Sequence, residues 1–202
     1  MEFRTPISGI RPNPAGDWPN IDDTAFVDPS AQIMGNVYIG PGVYVGPQAV
    51  IRADELTEDG DVEPVVIHQG AFIQDGVIIH ARAGSRVTVG CRSNIAHGVI
   101  IHGPCSIGEE CFIALRASIY NSDLEEKVWV GIGAIVMRAT VPSHTMIPAG
   151  AMVRSGADIQ HFRLMTHNEQ AYKDSVIEAS AALRDGYLAL YRDGLPQRNG
   201  SE

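Results

Sequence analysis

Seven histidines punctuate a chain of 202 residues, and three of them, His80, His97 and His102, fall within a stretch of 23. Neutral imidazole is the commonest side-chain ligand for transition-metal ions. Three imidazoles leave a fourth position open, where bound water reaches a pKa of ~7 and supplies hydroxide at neutral pH. Taken alone, His-x4-His is a weak signal, because histidines scattered over a surface are common. Its strength here comes from the neighbours, since His80 follows Ile79 and His102 follows Ile101.

Those two isoleucines belong to a six-residue period. It runs Val27, Ile33, Ile39, Val45, Ile51, resumes as Ile67, Ile73, Ile79, runs again as Val89, Ile95, Ile101, Ile107, Ile113, Ile119, and ends with Val130, Val136. The residue two before each is mostly small or β-branched, as in Ala31, Val37, Ala49, Ser93, Cys105 and Cys111. Side chains alternate along a strand, so both positions face inward. Gly40, Gly46, Gly90, Gly108 and Gly131 follow the large inward residue and suit tight corners. Short strand, corner, short strand is a parallel β-solenoid.

If three hexapeptides close one coil, His80 and His102 stack, being three hexapeptides apart once a four-residue insertion is removed. Adjacent rungs lie ~4.8 Å apart, and two imidazoles at that spacing can converge on one ion with metal–nitrogen distances of ~2.0 to 2.1 Å. His97 sits two after Ile95, one corner earlier, with about five residues at ~3.3 Å each between it and His102. A neighbouring subunit could supply it instead, which predicts a rotationally symmetric homotrimer with a metal site at each interface.

Breaks in phase predict loops between Ile51 and Ile67, Ile79 and Val89, and Ile119 and Val130. From about Ala157 the spacing becomes helical through Tyr172, Val176, Leu183, Tyr187 and Tyr191, and Thr166-x-x-Glu169 reads as a capping box. The expected organisation is an extended lead-in over 1–24, carrying Pro12, Pro14 and Pro19, a β-helix over 25–156, and a helical segment with a tail over 157–202. Charge and composition narrow the function. With 24 acidic against 15 basic residues and a net charge of −9, the chain is no phosphate-held nucleic-acid binder. No apolar run approaches the ~18 residues of a membrane span, and Met1-Glu2-Phe3-Arg4-Thr5-Pro6 lacks a signal-peptide core, so a cytoplasmic protein is expected. Three cysteines make no disulfide framework; Cys105 and Cys111 read as core filler, Cys91 as a corner residue and His68 as an exposed one.

The hexapeptide period with its C-terminal helix resembles the left-handed β-helix proteins, and the left hand is implied by that resemblance. Gln74-Asp75-Gly76-Val77-Ile78-Ile79-His80-Ala81, Ala96-His97, Ile101-His102-Gly103-Pro104 and the preceding Ile51-Arg52-Ala53-Asp54-Glu55 are similar to the gamma-class carbonic anhydrases, over Ala25 to Gly150. The resemblance implies that His80, His97 and His102 bind the metal, two from one subunit and one from the next. It also implies that Glu55 moves protons, that Gln74 hydrogen-bonds the metal-bound oxygen, and that Arg52, Asp54 and Asp75 form a network across the interface. The reaction implied is reversible hydration of CO2 to bicarbonate on Zn2+, with Fe2+ or Co2+ also suited to three imidazoles.

Two departures stand out. The family's acidic loop with a proton-shuttle glutamate is replaced by Ala81-Arg82-Ala83-Gly84-Ser85-Arg86, and an asparagine two before the glutamine is here Phe72. One active-site hydrogen bond is therefore expected to be absent, and slow or lost hydration follows. Glu58, in the acidic loop after Glu55, is a candidate relay, against the alternative of a merely solvated loop. Two other functions fit the same solenoid: a metal-dependent acyl-CoA thioesterase using the same triad, and a non-catalytic trimeric scaffold that keeps its metal for assembly.

Overall fold

The structure, a computed structural model, describes residues 9–192. The coil has three faces. Two are joined in a sheet of thirteen strands, because Ile100–Ile107 and Ser118–Leu124 run unbroken across one corner; the third face is a separate sheet of seven. Every strand pair is parallel, each coil pairing with those above and below. Every in-phase aliphatic is buried except Val27, which is half-buried, and so is the small residue two before it. Burying one isoleucine side chain stabilises by roughly 1.5 to 3 kcal/mol, so the three columns these residues form, one inside each face, are a large part of the driving force for coiling.

The corner glycines owe their place to crowding rather than to a left-handed backbone. A Cβ on Gly90 would lie 2.5 Å from the carbonyl carbon of Gly108, and one on Gly108 2.5 Å from that of Glu125. The left-handed residue of the corner falls further on, at Gly76 and Gly98 with φ of 65° and 69°, and at Gln48 with 57°.

The loops after Ala53 and Ala81 are present, but the eleven residues from Ile119 to Val130 form no loop. Eleven is one short of two hexapeptides, and the strand Ser118–Leu124 absorbs the deficit as a register shift opposite His102 and Cys105. The expected lead-in also differs. Ile10–Arg11 pairs with Ile33–Met34, and Asn20–Ile21 with Tyr38–Ile39, so coiling starts before residue 25; residues 1–8 and 193–202 lie outside the described residues.

Beyond the solenoid come α1 (Gly156–Ile159) and α2 (His167–Arg192). The capping box at Thr166 forms: its N–H donates to Glu169 Oε2 at 2.8 Å, and the Glu169 N–H donates to Thr166 Oγ1 at 3.3 Å. Helix α2 lies across the third face, where Phe26, Tyr44 and Phe72 pack against Ile177, Ala181, Tyr187 and Leu188. Its early turns are held at the other end of that face by Lys173, whose Nζ donates to the Glu110 carbonyl at 3.0 Å. No helix among the described residues is long and apolar enough to cross a membrane.

Candidate metal centre

On the first face, the outward residue after the buried isoleucine forms a column in which Arg52, His80, His102 and Tyr120 are consecutive Cα partners. The imidazoles of His80 and His102 stand edge to face with centroids 5.0 Å apart. His80 Nε2 and His102 Nδ1 are both buried and lack a hydrogen-bond partner among the described residues. Orphaned nitrogens are costly unless something takes their lone pairs. A divalent ion would do so, and the donor set fits one.

Carboxylates gather around the pair. Glu55 Oε1 lies 3.2 Å and Asp54 Oδ1 3.7 Å from His80 Nε2. Arg52 Nε donates to Asp54 Oδ1 at 2.9 Å, and the Ala83 N–H donates to Glu55 Oε2 at 3.1 Å. The loop that lacks a shuttle glutamate therefore hands a backbone donor to Glu55 and fixes it. Burial first, then the Arg52 guanidinium, pushes the His80 pKa below its ordinary value, against the opposing pull of Glu55. The imidazole is thereby kept neutral, as a ligand must be.

His97 stands elsewhere in the same chain. It occupies the corner after Asn94–Ile95, is 55% exposed, and has Nδ1 3.5 Å from Asp75 Oδ2. Among the described residues no group of three His, Cys, Asp or Glu converges as a metal site. The expected residues thus fall into two separate groups. One holds Arg52, Asp54, Glu55, His80 and His102; the other holds Gln74, Asp75 and His97. Glu58 is exposed and forms no ion pair among the described residues.

An asparagine does reach Gln74, but from the next rung rather than from position 72. Phe72 and Asn94 are Cα partners, and Gln74 Nε2 donates to Asn94 Oδ1 at 3.2 Å and to Ser180 Oγ on α2 at 3.1 Å. Phe72 itself is helix-docking surface, 2% exposed, with the Arg184 guanidinium 5.9 Å from its ring centroid. Sequence reasoning missed Asn94, Ser180 and Lys173. The six-residue phase carried the signal for Asn94, which interrupts the aromatic column Phe26, Tyr44, Phe72, Phe112, Trp129. Nothing in the sequence pointed to Ser180. A cavity of about 780 Å³ opens beside His97, between α2 and the third face.

Comparison with known proteins defines the class. Residues 19–53 match the bacterial transferase hexapeptide family of six repeats. The chain is 31% identical to the carnitine operon protein CaiE of Escherichia coli O7:K1, over 83% of both chains. A carbonic anhydrase of Methanosarcina thermophila is 29% identical over 90% of this chain and 82% of that one. The carboxysome assembly protein CcmM of Nostoc is 32% identical over 83% of this chain, which spans only 31% of that relative's length. A hexapeptide transferase family protein from Anaplasma phagocytophilum superposes with a TM-score of 0.73 at 25% identity, covering 88% of this chain and 97% of that one. The chain belongs to the hexapeptide-repeat β-helix family that includes the gamma-type carbonic anhydrase.

Proposed function

We propose that this protein is a gamma-class carbonic anhydrase, a cytoplasmic homotrimer that hydrates CO2 reversibly to bicarbonate at sites shared between subunits. The observation that carries the reading is the stacked pair His80 and His102, with buried orphaned nitrogens beside two carboxylates. His80 and His102 of one subunit and His97 of the next would hold the ion, zinc by preference, with iron(II) or cobalt(II) compatible. The ion, when bound, supplies a Lewis acid that lowers the pKa of water to about 7.

This chain's own groups do the rest. Asp75 Oδ2, 3.5 Å from His97 Nδ1, stands where it can orient the ring. Glu55, 40% exposed at its side chain, holds Oε2 on the Ala83 N–H and sets Oε1 3.2 Å from His80 Nε2, at the edge of the proposed ion site, where it takes a proton and releases it to buffer. Gln74 spends its amide donors on Asn94 and Ser180, so its Oε1 is the atom that accepts a hydrogen bond from the reacting oxygen. Arg52, half-exposed beyond Asp54, reaches Asp75 of the adjoining copy.

Stopped-flow CO2 hydration on protein loaded anaerobically with zinc or iron(II), with metal content measured on the same samples, tests the assignment. His102→Ala is expected to lose both metal and turnover while staying folded; stoichiometric metal in that variant would refute the ligand set. The similarity to a carboxysome assembly protein supports a second reading, a scaffold that keeps its metal without turnover. A full metal complement with no hydration would favour it.

A further inference from the structure

Bicarbonate is an anion with three oxygens, and the groups gathered around the two histidines offer it few donors. Ionised Asp54, Glu55 and Asp75 carry acceptors only. Gln74 gives its amide hydrogens to Asn94 and Ser180, and the Ala83 N–H is spent on Glu55. Arg52 gives its Nε to Asp54 and, in the trimer proposed above, its far end to Asp75 of the adjoining copy. An anion set among acceptors alone is repelled, so the site still needs a donor.

One stands on the next rung. Tyr120 is the Cα partner of His102, and its ring lies 5.7 Å from the imidazole, centroid to centroid, with 36° between the planes. Side chains stand roughly perpendicular to a sheet, and a phenol is longer than an imidazole, so the hydroxyl reaches further from the sheet than the His102 ring does. The side chain is 40% exposed and its Oη has no hydrogen-bond partner among the described residues. A tyrosine hydroxyl drawn into an interface normally finds one. Arg52 and both carboxylates lie against His80, on the opposite side of the pair. The neighbouring column adds no competitor, since Ile78 and Ile100 flank the two histidines and Ser118, behind them on the rung of Tyr120, ends close to the sheet.

We propose that Tyr120 recognises the anion at the shared site: its hydroxyl donates a hydrogen bond to an oxygen of bicarbonate and keeps its own proton. The assignment rests on the carbonic anhydrase reading and deepens it by naming what holds the charged species, a task that neither Glu55 nor Gln74 can perform. Uncharged CO2 is a much weaker acceptor, so the contact distinguishes bicarbonate from CO2.

Cobalt(II)-loaded wild type and Tyr120→Phe, with metal content measured on both, are titrated with bicarbonate and separately with iodide, and binding is read from the visible spectrum of the ion. Phenylalanine keeps a ring against His102, so both proteins are expected to hold a full complement of metal. Loss of one charge-assisted hydrogen bond should weaken bicarbonate binding about tenfold or more and leave iodide, which has no oxygen to receive it, unchanged. Equal bicarbonate affinity in the two proteins would overturn the proposal. An equal loss for both anions would also overturn it, by placing the effect on the ion, and so would loss of metal from Tyr120→Phe, by making the ring a prop for His102. Wild type that takes up no cobalt, or takes it and ignores bicarbonate, would overturn the proposal together with the carbonic anhydrase reading. Bicarbonate binding that depends on Tyr120, without CO2 hydration, would refute that reading alone.

Discussion

In the proposed reaction Glu55 and Gln74 do different work, and substitution should separate them. Glu55→Gln keeps the hydrogen bond from Ala83 but removes proton transfer, so kcat should fall by about 10² to 10⁴ while metal content stays at the wild-type level. Added imidazole buffer should restore part of the rate. Asn94→Ala should instead free the Gln74 amide to rotate, lowering turnover with no buffer rescue, because a positioning contact is lost rather than a proton path. The two stacked histidines were legible in the sequence because six-residue phase converts directly into lateral register, whereas their acidic neighbours Asp54 and Glu55 came only with the family resemblance. Asn94 and Ser180 were not, since their meeting depends on where α2 comes to rest, and nothing periodic encodes that. Phe72 shows the same limit from the other side: its identity as a missing asparagine was plain, but its role beneath the helix required the packing.

At the scale of elements, the anchoring of α2 decides whether the second half-site is complete, since Ser180 orients Gln74. Thr166→Ala removes one side of the capping box and should cost about 1 kcal/mol, read as a lowered unfolding midpoint in urea. The Arg163 guanidinium, then the Thr166 N–H, hold the Glu169 carboxyl at about 2, below its ordinary 4.5. A carboxyl depressed in the folded state stabilises fully above its unfolded value and loses that contribution as pH falls through the folded one. The helix should therefore be fully anchored above about pH 5 and loosen between roughly pH 4.5 and 2, and Glu169→Gln should flatten that part of a thermal melting series. The short strands were predictable from alternation, whereas the strand Ser118–Leu124 was not. A one-residue deficit looks like a loop in sequence, but it costs less as a shift within a ladder whose partners are already paired.

For the molecule as a whole, division of the histidines into two half-sites makes subunit sharing testable by mixing. His97→Ala and His102→Ala trimers should each lack metal. Random mixed trimers regain one intact site wherever a His97→Ala chain presents its histidine pair to the His97 of a His102→Ala chain, which restores about a quarter of wild-type metal overall. No recovery in verified mixed trimers would exclude sharing. The parallel stack has another consequence. Within the sheets each coil pairs only with its two neighbours, so strand cohesion passes along the axis link by link, and disorder entering at either end must melt successive coils to advance. His80 and His102 sit on central rungs, with paired strands on both sides. The stacked histidine pair is therefore insulated by coils that can fray first, and amide hydrogen exchange should quicken from the middle of the stack toward its ends while the two histidine rungs remain among the slowest.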